Sequence, residues 1–407
     1  MPNKPNMPNL PDQESTVGIT VPRGFRASGV ACGLKKTGAL DLALIASDSD
    51  CACAGMFTTN RVQAAPVLYD KEVLAKNSST IRAIVANSGC ANACTGDAGL
   101  ADTRITAEET ARALGIRSDQ VLVLSTGVIG QRLPMEKILA GVKSAASSLK
   151  YDGGDQASRA IMTTDTKPKV YDLRFTHYAI GGMCKGAGMI HPNMATMLAV
   201  ITTDVKISPA LLDQALRAAV NKSFNRISVD GDMSTNDTIL ILANGASGKE
   251  IRESRELKEF ENVLTQVCAN LAKQLVRDGE GATKFVEIVI SGASDEAEAV
   301  RVAKSIANSP LTKTAIYGGD ANWGRVIAAA GYSGVAVELS KMKLWFGDVN
   351  VFANGMPTDF DETDSTAALA GSDVFIRLDL GQGNASTTVW TCDLSHDYVT
   401  INGKYRT

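Results

Sequence analysis

The chain has 407 residues, 44% hydrophobic and 21% charged, a balance that fits a globular protein of one large domain or two or three smaller ones. Its 41 basic and 44 acidic side chains leave a formal net charge of -3 and are spread along the sequence. No basic stripe points to nucleic acid or an anionic membrane surface, so a small-molecule partner is expected.

Residues 1–15 are rich in Pro and Asn, show no apolar period and read as a flexible tail, with the fold beginning near Val17. That stretch has no apolar core of a secretion signal, and no window approaches the ~18 uninterrupted apolar residues of a membrane span. The eight cysteines (Cys32, Cys51, Cys53, Cys90, Cys94, Cys184, Cys268 and Cys392) are therefore expected as thiols in a reducing, cytoplasmic setting. Cys51-Ala-Cys53 and Cys90 with Cys94 have no CxxC or spaced His partner, and His177, His191 and His396 are too scattered for a zinc set, so no metal is expected.

From Val17 to about residue 125, short β-like runs such as Leu42 to Ala46 and Ile81 to Ala86 alternate with turn clusters. Thr106 and Glu109 have the spacing of a capping box and predict a helix start ahead of Ala111, Ala113 and Leu114. Val121-Leu-Val-Leu124 is apolar throughout, as in a strand buried on both faces, and it stops at Ser125-Thr-Gly127. Helices are predicted from Pro134, from Ser208-Pro209 ahead of Leu212 and Leu216, and from Ser254 as cap, with Leu257, Phe260, Leu264, Val267 and Leu271 on one face. After Asp278-Gly-Glu-Gly281 come a strand Phe285 to Ile290, a helix from about Asp295 and a Gly-rich turn Tyr317 to Gly324. Strand-like runs near Leu344 to Val351, Val374 to Leu380 and Thr387 to Thr391 close the sequence. Strands followed by long helices in both halves predict α/β or α+β layers rather than an all-β sandwich.

The segment Gly181-Gly-Met-Cys-Lys-Gly-Ala-Gly-Met-Ile-His-Pro-Asn-Met-Ala-Thr-Met-Leu198 brings a glycine-rich backbone up to Thr196, where an apolar β-like run begins. A threonine hydroxyl is a weak nucleophile without a base, and no Asp–His pair lies nearby in sequence. If the Ala195–Thr196 bond broke, the new α-amine of Thr196, with an ordinary pKa of about 7.7 to 8.0, would lie beside its own hydroxyl. By itself the pattern is also that of a structural Thr opening a strand, and spacing alone does not show cleavage.

Several separated segments resemble, in order, those of the ornithine acetyltransferase family, also called glutamate N-acetyltransferase or arginine biosynthesis bifunctional protein. They are Ala86-Asn-Ser-Gly-Cys-Ala-Asn-Ala93, Ser125-Thr-Gly-Val-Ile-Gly130, Met162-Thr-Thr-Asp165, Lys185-Gly-Ala-Gly-Met189 with Asn193-Met-Ala-Thr-Met-Leu198, Asp278-Gly-Glu-Gly281 and Gly319-Asp-Ala-Asn-Trp-Gly-Arg325. The resemblance covers nearly the whole chain. It implies a two-lobed α/β fold of layered sheets and helices, related to self-processing β-aminopeptidases of the N-terminal nucleophile type. It also implies self-cleavage at Ala195–Thr196 into an α chain, 16–195, and a β chain, 196–407, assembled as a heterotetramer of two copies of each.

The activity implied is transfer of acetyl from N-acetyl-L-ornithine to L-glutamate in arginine biosynthesis, through an acetyl-threonine on Thr196. Thr126 and Gly127 take the place of the oxyanion hole, and Thr163, Lys185, Thr196, Glu280, Asn402 and Thr407 that of the substrate contacts. No cofactor is implied, and the residues leave open whether acetyl-CoA is a second donor. Without the resemblance, Gly127 reads as a strand-end turn, Lys185 as a solvated loop charge and Glu280 as a helix-end carboxylate. His191-Pro192, where other members vary, is taken as loop. Two rival readings are a self-processing aminopeptidase-like hydrolase, which would pass the acyl group to water, and an unprocessed, non-catalytic ligand-binding protein.

Overall fold

The computed structural model describes residues 18–191 and 197–404. The predicted tail, the bond Ala195–Thr196 and Thr407 lie outside the described residues.

The strands β1 (Phe25–Val30), β2 (Leu42–Phe57), β3 (Ile81–Cys90), β4 (Val121–Val128), β5 (Lys169–Arg174), β6 (Ala179–Lys185) and β7 (Leu198–Thr203) are followed by a short β8 (Lys206–Ile207) and by β9 (Thr238–Ala243). All except β8 form one sheet in the order β4-β3-β2-β9-β7-β6-β5, with β1 also on β2, while β8 pairs with β10 (Glu250–Ile251). The long β2 joins two halves of this sheet. Its first residues pair with β1 and β3 and its last, Ala52 to Phe57, with β9, the register breaking between Ala46 and Cys51.

Side-chain alternation shows how the halves lie. Along β7, Leu198 and Val200 enter a core shared with Ile84 and Leu124, whereas Ala199 and Ile201 enter a second core with Leu264 and Leu271. Along β9, Leu240 and Leu242 join the first core and Ile239 and Ile241 the second. Successive strand residues point to opposite faces, so this half is covered on one face by the other half-sheet and on the other by helices. Helices α1 (Ala65–Lys76), α2 (Gly96–Leu114), α3 (Met135–Ser147) and α4 (Gly154–Ala160) close over β1 to β4, and α5 (Pro209–Asn221) and α6 (Ser254–Arg277) over the opposite side.

The second lobe is a sheet of β11 (Phe285–Ala293), β12 (Lys343–Phe346), β13 (Val349–Ala353), β14 (Met356–Pro357), β15 (Asp373–Asp379) and β16 (Ala385–Cys392), in the order β14-β13-β12-β15-β11-β16. It has its own core with α7 (Glu296–Ala307), α8 (Pro310–Gly318) and α9 (Trp323–Gly331), and α10 (Glu362–Ala367) and α11 (His396–Gly403) complete the chain's helices among the described residues. Two lobes of layered sheets and helices agree with the expected class.

Local expectations fare unevenly. Ser208 caps α5, accepting from Leu211 N at 3.4 Å, and Asp295 caps α7, accepting from Glu298 N at 2.8 Å. Thr106 is no cap: α2 has already begun at Gly96, and the Thr106 hydroxyl donates back to Asp102 O at 2.8 Å inside the helix. Ser254 is the first helical residue, and its predecessor Glu253 takes the cap position without a side-chain bond. The run Leu344 to Val351 is a hairpin of β12 and β13, and the turn predicted over Tyr317 to Gly324 is narrower, lying between α8 and α9.

The predicted chain boundary at residue 195 lies outside the described residues and, in sequence, between β6 and β7, two strands of the first sheet. β6 and β7 pair from Ile180↔Thr203 to Lys185↔Leu198, and β2 pairs with β9 over six positions from Ala52↔Ala243 to Phe57↔Thr238. Residues before and after that boundary thus share one hydrogen-bonded sheet and both of its cores.

Candidate active site

The apolar run of β4 buries Val121 to Leu124 and delivers Thr126 and Gly127 to its C-terminal end, beside the end of β3. Gly127 has φ 132°, and a Cβ there would meet the Gly89 carbonyl carbon at 2.3 Å and Cys90 N at 2.5 Å. Only glycine permits this close approach of β3 and β4. Asn236, just before β9, fixes the same corner from the other half-sheet, donating from Nδ2 to Ser125 O at 2.8 Å and to Ala91 O at 2.7 Å.

Lys185 ends β6, buried to 2% exposure, and donates from Nζ to Thr126 Oγ1 at 3.3 Å. It is a buried strand-end cation rather than a solvated loop charge. Burial pulls its pKa down, with Asp165 the main group opposing that and Lys169 reinforcing it. A hydroxyl has one proton and two acceptor lone pairs, so accepting from Lys185 leaves the Thr126 proton free for another acceptor.

Behind Lys185 lies a buried ionic set. Lys169, fully buried, contacts Asp165 Oδ1 and Asp278 Oδ2, each at 2.5 Å. Asp165 also accepts from Gly186 N at 2.7 Å and Thr163 N at 2.9 Å, and Asp278 from Thr166 N at 3.0 Å and from the Thr166 hydroxyl. Burial alone would raise the Asp165 carboxyl, but Lys185 and Lys169 outweigh it and bring the pKa to about 2.

Glu280 follows α6. Its backbone N donates to Ala187 O at 2.8 Å, and its Oε2 accepts from Asn402 Nδ2 of α11 at 2.8 Å. A Cβ at Gly188 would meet Glu280 Oε2 at 2.2 Å, so a glycine there lets the carboxylate lie against the loop. Asp230 holds the loop from the other side, taking Met189 N at 2.5 Å, Ile190 N at 2.8 Å and the Tyr398 hydroxyl of α11 at 3.2 Å.

Thr126, Gly127, Thr163, Lys185, Glu280 and Asn402, all singled out from the sequence, line one cavity of about 250 Å³. Thr196, Ala195 and Thr407 lie outside the described residues, but Met197, next to Thr196 in sequence, donates from N to Asp237 Oδ1 at 3.1 Å. Asp237 is fully buried, and that burial pushes its carboxyl well above the usual range. His191 is not among the residues that line the cavity; its Nδ1 lies 3.3 Å from Nδ2 of Asn308, the residue that follows α7.

Sequence reasoning missed Lys169, Asp230, Asn236 and Asp237. The polar run Ser234-Thr-Asn-Asp237 ahead of an apolar strand was a signal for the last two; Lys169 had none. Asp165 and Asp278 stood inside quoted motifs without a role. Chemically, the cavity offers a hydroxyl proton at a strand end, an ammonium and a carboxylate. That set suits a small molecule with both an anionic group and an amine. Among the described residues no helix is long and apolar enough to cross a membrane, and no group of three or more His, Cys, Asp or Glu side chains is placed to hold a metal ion.

A model of the ArgJ family matches residues 26–407. The arginine biosynthesis bifunctional protein ArgJ of Geobacter sulfurreducens is 50% identical over 392 residues, covering 95% of this chain and 99% of its own. That of Symbiobacterium thermophilum is 46% identical over 398 residues, covering 96% and 98%. Among solved structures, an ornithine acetyltransferase from Mycobacterium tuberculosis complexed with ornithine is 49% identical over 44% of this chain and 95% of that one, with a TM-score of 0.42.

Proposed function

The chain belongs to the ArgJ family, and from that premise we propose that it is a glutamate N-acetyltransferase, moving acetyl from N-acetyl-L-ornithine to L-glutamate in arginine biosynthesis. The observation that carries the reading is the meeting of Thr126, Gly127, Lys185, Glu280 and Asn402 around one cavity, by the ends of β4 and β6, where Lys185 pairs with Leu198, the first residue of β7 and two residues after Thr196 in sequence. In this reading the chain cuts itself before Thr196, whose freed α-amine serves its own hydroxyl as base. The hydroxyl attacks the acetyl carbon, and Thr126 Oγ1 and the Gly127 N–H hold the oxygen that becomes negative, a contribution of about 2.7 to 4 kcal/mol for one such donor.

Lys185 supplies a positive charge for the α-carboxylate that N-acetylornithine and glutamate share, Glu280 a negative charge for the free side-chain amine of N-acetylornithine or the amine of glutamate, and Asn402 steadies Glu280 through its 2.8 Å hydrogen bond. Thr163, Thr196 and Thr407 complete the proposed substrate contacts. The reading includes a cytoplasmic setting and an assembly of two copies of each fragment.

The test is acetylation of labelled glutamate by purified protein with N-acetylornithine as donor. Release of free acetate without acetylglutamate would instead make the protein a hydrolase, and no turnover with an uncut chain would make it a binding protein. The same assay with acetyl-CoA decides whether that thioester is a second donor.

A further inference from the structure

We propose that the buried set Asp165–Lys169–Asp278 is a positioning clamp for the acyl-transfer cavity, through which one ammonium, Lys169, holds three substrate-facing segments in register. The inference rests on the functional reading above and adds residues that reading does not use. Each member sits one or two residues from a cavity residue, or binds a neighbour of one. Asp165 takes the Thr163 N–H and also the N–H of Gly186, which follows Lys185. Asp278 lies two residues before Glu280 and ties down Thr166 through both its N–H and its hydroxyl. Lys169, at the start of β5, contacts both carboxylates at 2.5 Å.

Buried ion pairs are not an efficient way to stabilise a fold, because desolvation offsets most of the attraction and well-packed apolar residues often do as well. Lys169 is fully buried, and the two carboxylates it contacts have side chains only 0% and 3% exposed, so what the set supplies is fixed geometry. Three segments that are far apart in sequence, 163–166, 185–188 and 278–280, are joined at one point directly behind the cavity. A shift of about 1 Å in groups that orient a substrate lowers rate by up to about 100-fold.

The clamp also sets the field at Lys185. The groups that face that ammonium are Asp165, Lys169, Glu280 and Asp237, with Lys35 of the 31–41 loop interacting as well. Asp165 supports its charged form and Lys169 opposes it, so removing each moves Lys185 in opposite directions.

Opposite shifts are what a merely structural role would not produce. The experiment compares Asp165→Asn, Lys169→Met and Asp278→Asn in the full chain, recording thermal unfolding, self-cleavage and the pH profile of kcat/KM for acetyl transfer to glutamate. All three should lose kcat/KM, by up to about 100-fold. The alkaline limb, where Lys185 gives up its proton, should move to lower pH in Asp165→Asn, to higher pH in Lys169→Met, and stay in place in Asp278→Asn. If Lys169→Met does not fold, the shift in Asp165→Asn against its absence in Asp278→Asn carries the test. Limbs that move together or not at all, or activity that falls only as far as thermal stability does, would overturn the clamp. Wild-type protein that transfers no acetyl would instead overturn the functional reading, so the two failures are distinct.

Discussion

Lys185 donates from Nζ to the Thr126 hydroxyl oxygen at 3.3 Å, joining the end of β6 to the end of β4 across the two halves of one sheet. With one lone pair of Thr126 occupied by an ammonium, its proton is directed elsewhere, and the cavity is open to it. Thr126→Ala should therefore lower kcat by about 10² to 10³ with a smaller change in KM, because an oxyanion donor acts mainly in the transition state. Thr126→Ser, which keeps the hydroxyl, should retain most of the turnover. A raised KM at unchanged kcat would make Thr126 a substrate contact instead.

Cutting before Thr196 should not release either piece. β6 precedes the cut and β7 follows it, yet they pair over six positions, and both contribute side chains to the two cores of the sheet. Purified protein should show two bands under denaturing conditions and one species in native size-exclusion chromatography, with the second band beginning at Thr196. Thr196→Ala should run as a single full-length band. A new N-terminus at any other residue would displace the nucleophile assignment.

The turns that hold this site were legible where sequence patterns end, but the roles of Thr126, Gly127, Lys185 and Glu280 were legible only through the family resemblance, since by pattern alone they read as a strand-end turn, a loop charge and a helix-end carboxylate. Val121 to Leu124 reads as a buried strand, so Ser125-Thr-Gly127 marks its exit, and Asp278-Gly-Glu-Gly281 marks the exit of the amphipathic helix α6. The residues that were not legible act through contacts with no sequence period. Lys169 meets Asp278 across 109 positions, and Asn236 meets Ser125 across 111. Thr106 misled for a local reason: a threonine inside a helix that donates to the carbonyl four residues back has the same spacing to a glutamate as a capping box. The alternation along β7 and β9 was masked for a further reason, since strands apolar on both faces carry no period-2 signal.

Two buried carboxyls should give stability opposite dependence on pH. Asp165, lowered from 3.8 to about 2, makes the fold more stable above its ordinary pKa than below it, and that share is lost as pH falls toward 2. The Tm of Asp165→Asn should accordingly fall less steeply than wild type between about pH 4 and pH 2. Asp237, raised well above 3.8, contributes stability that is full below its ordinary pKa and lost as pH rises toward its folded one. Asp237→Asn imitates the protonated acid and still accepts from Met197 N, so its Tm at neutral pH should equal or exceed wild type. A large loss of Tm at neutral pH in Asp237→Asn would show that the native group is ionised.

Glu280→Gln keeps the shape of a side chain whose Oε2 accepts from Asn402 but removes its charge. Ornithine and glutamate derivatives should both be handled less well, with KM rising for each, while the chain still cuts itself. Separate readouts of cleavage by electrophoresis and of transfer by assay settle the point. Wild-type kinetics in this variant would reduce Glu280 to a residue that closes the end of α6.

The order of events follows from the place of the nucleophile. If Thr196 carries the acetyl group, ornithine must leave before glutamate can accept, because Lys185 and Glu280 line one cavity of about 250 Å³ that serves both amino acids in turn. In the first half, the Thr196 oxygen bonds to the acetyl carbon, its proton passes to the α-amine and then to the departing ornithine nitrogen, and the C–N bond of N-acetylornithine breaks. The second half reverses these steps with the glutamate amine, restoring the free hydroxyl. Initial-rate lines should therefore be parallel, and processed protein mixed with N-acetylornithine alone should gain one acetyl group on the 196–407 fragment, mapped to Thr196 and removed by glutamate. Asn402 and Glu280 sit on segments that follow the cut, so the acetylated fragment carries part of its own acceptor site, and the label should transfer without the two fragments dissociating. Intersecting lines with no trappable acetyl group would mean direct transfer in a ternary complex, leaving Thr196 a role in cleavage alone.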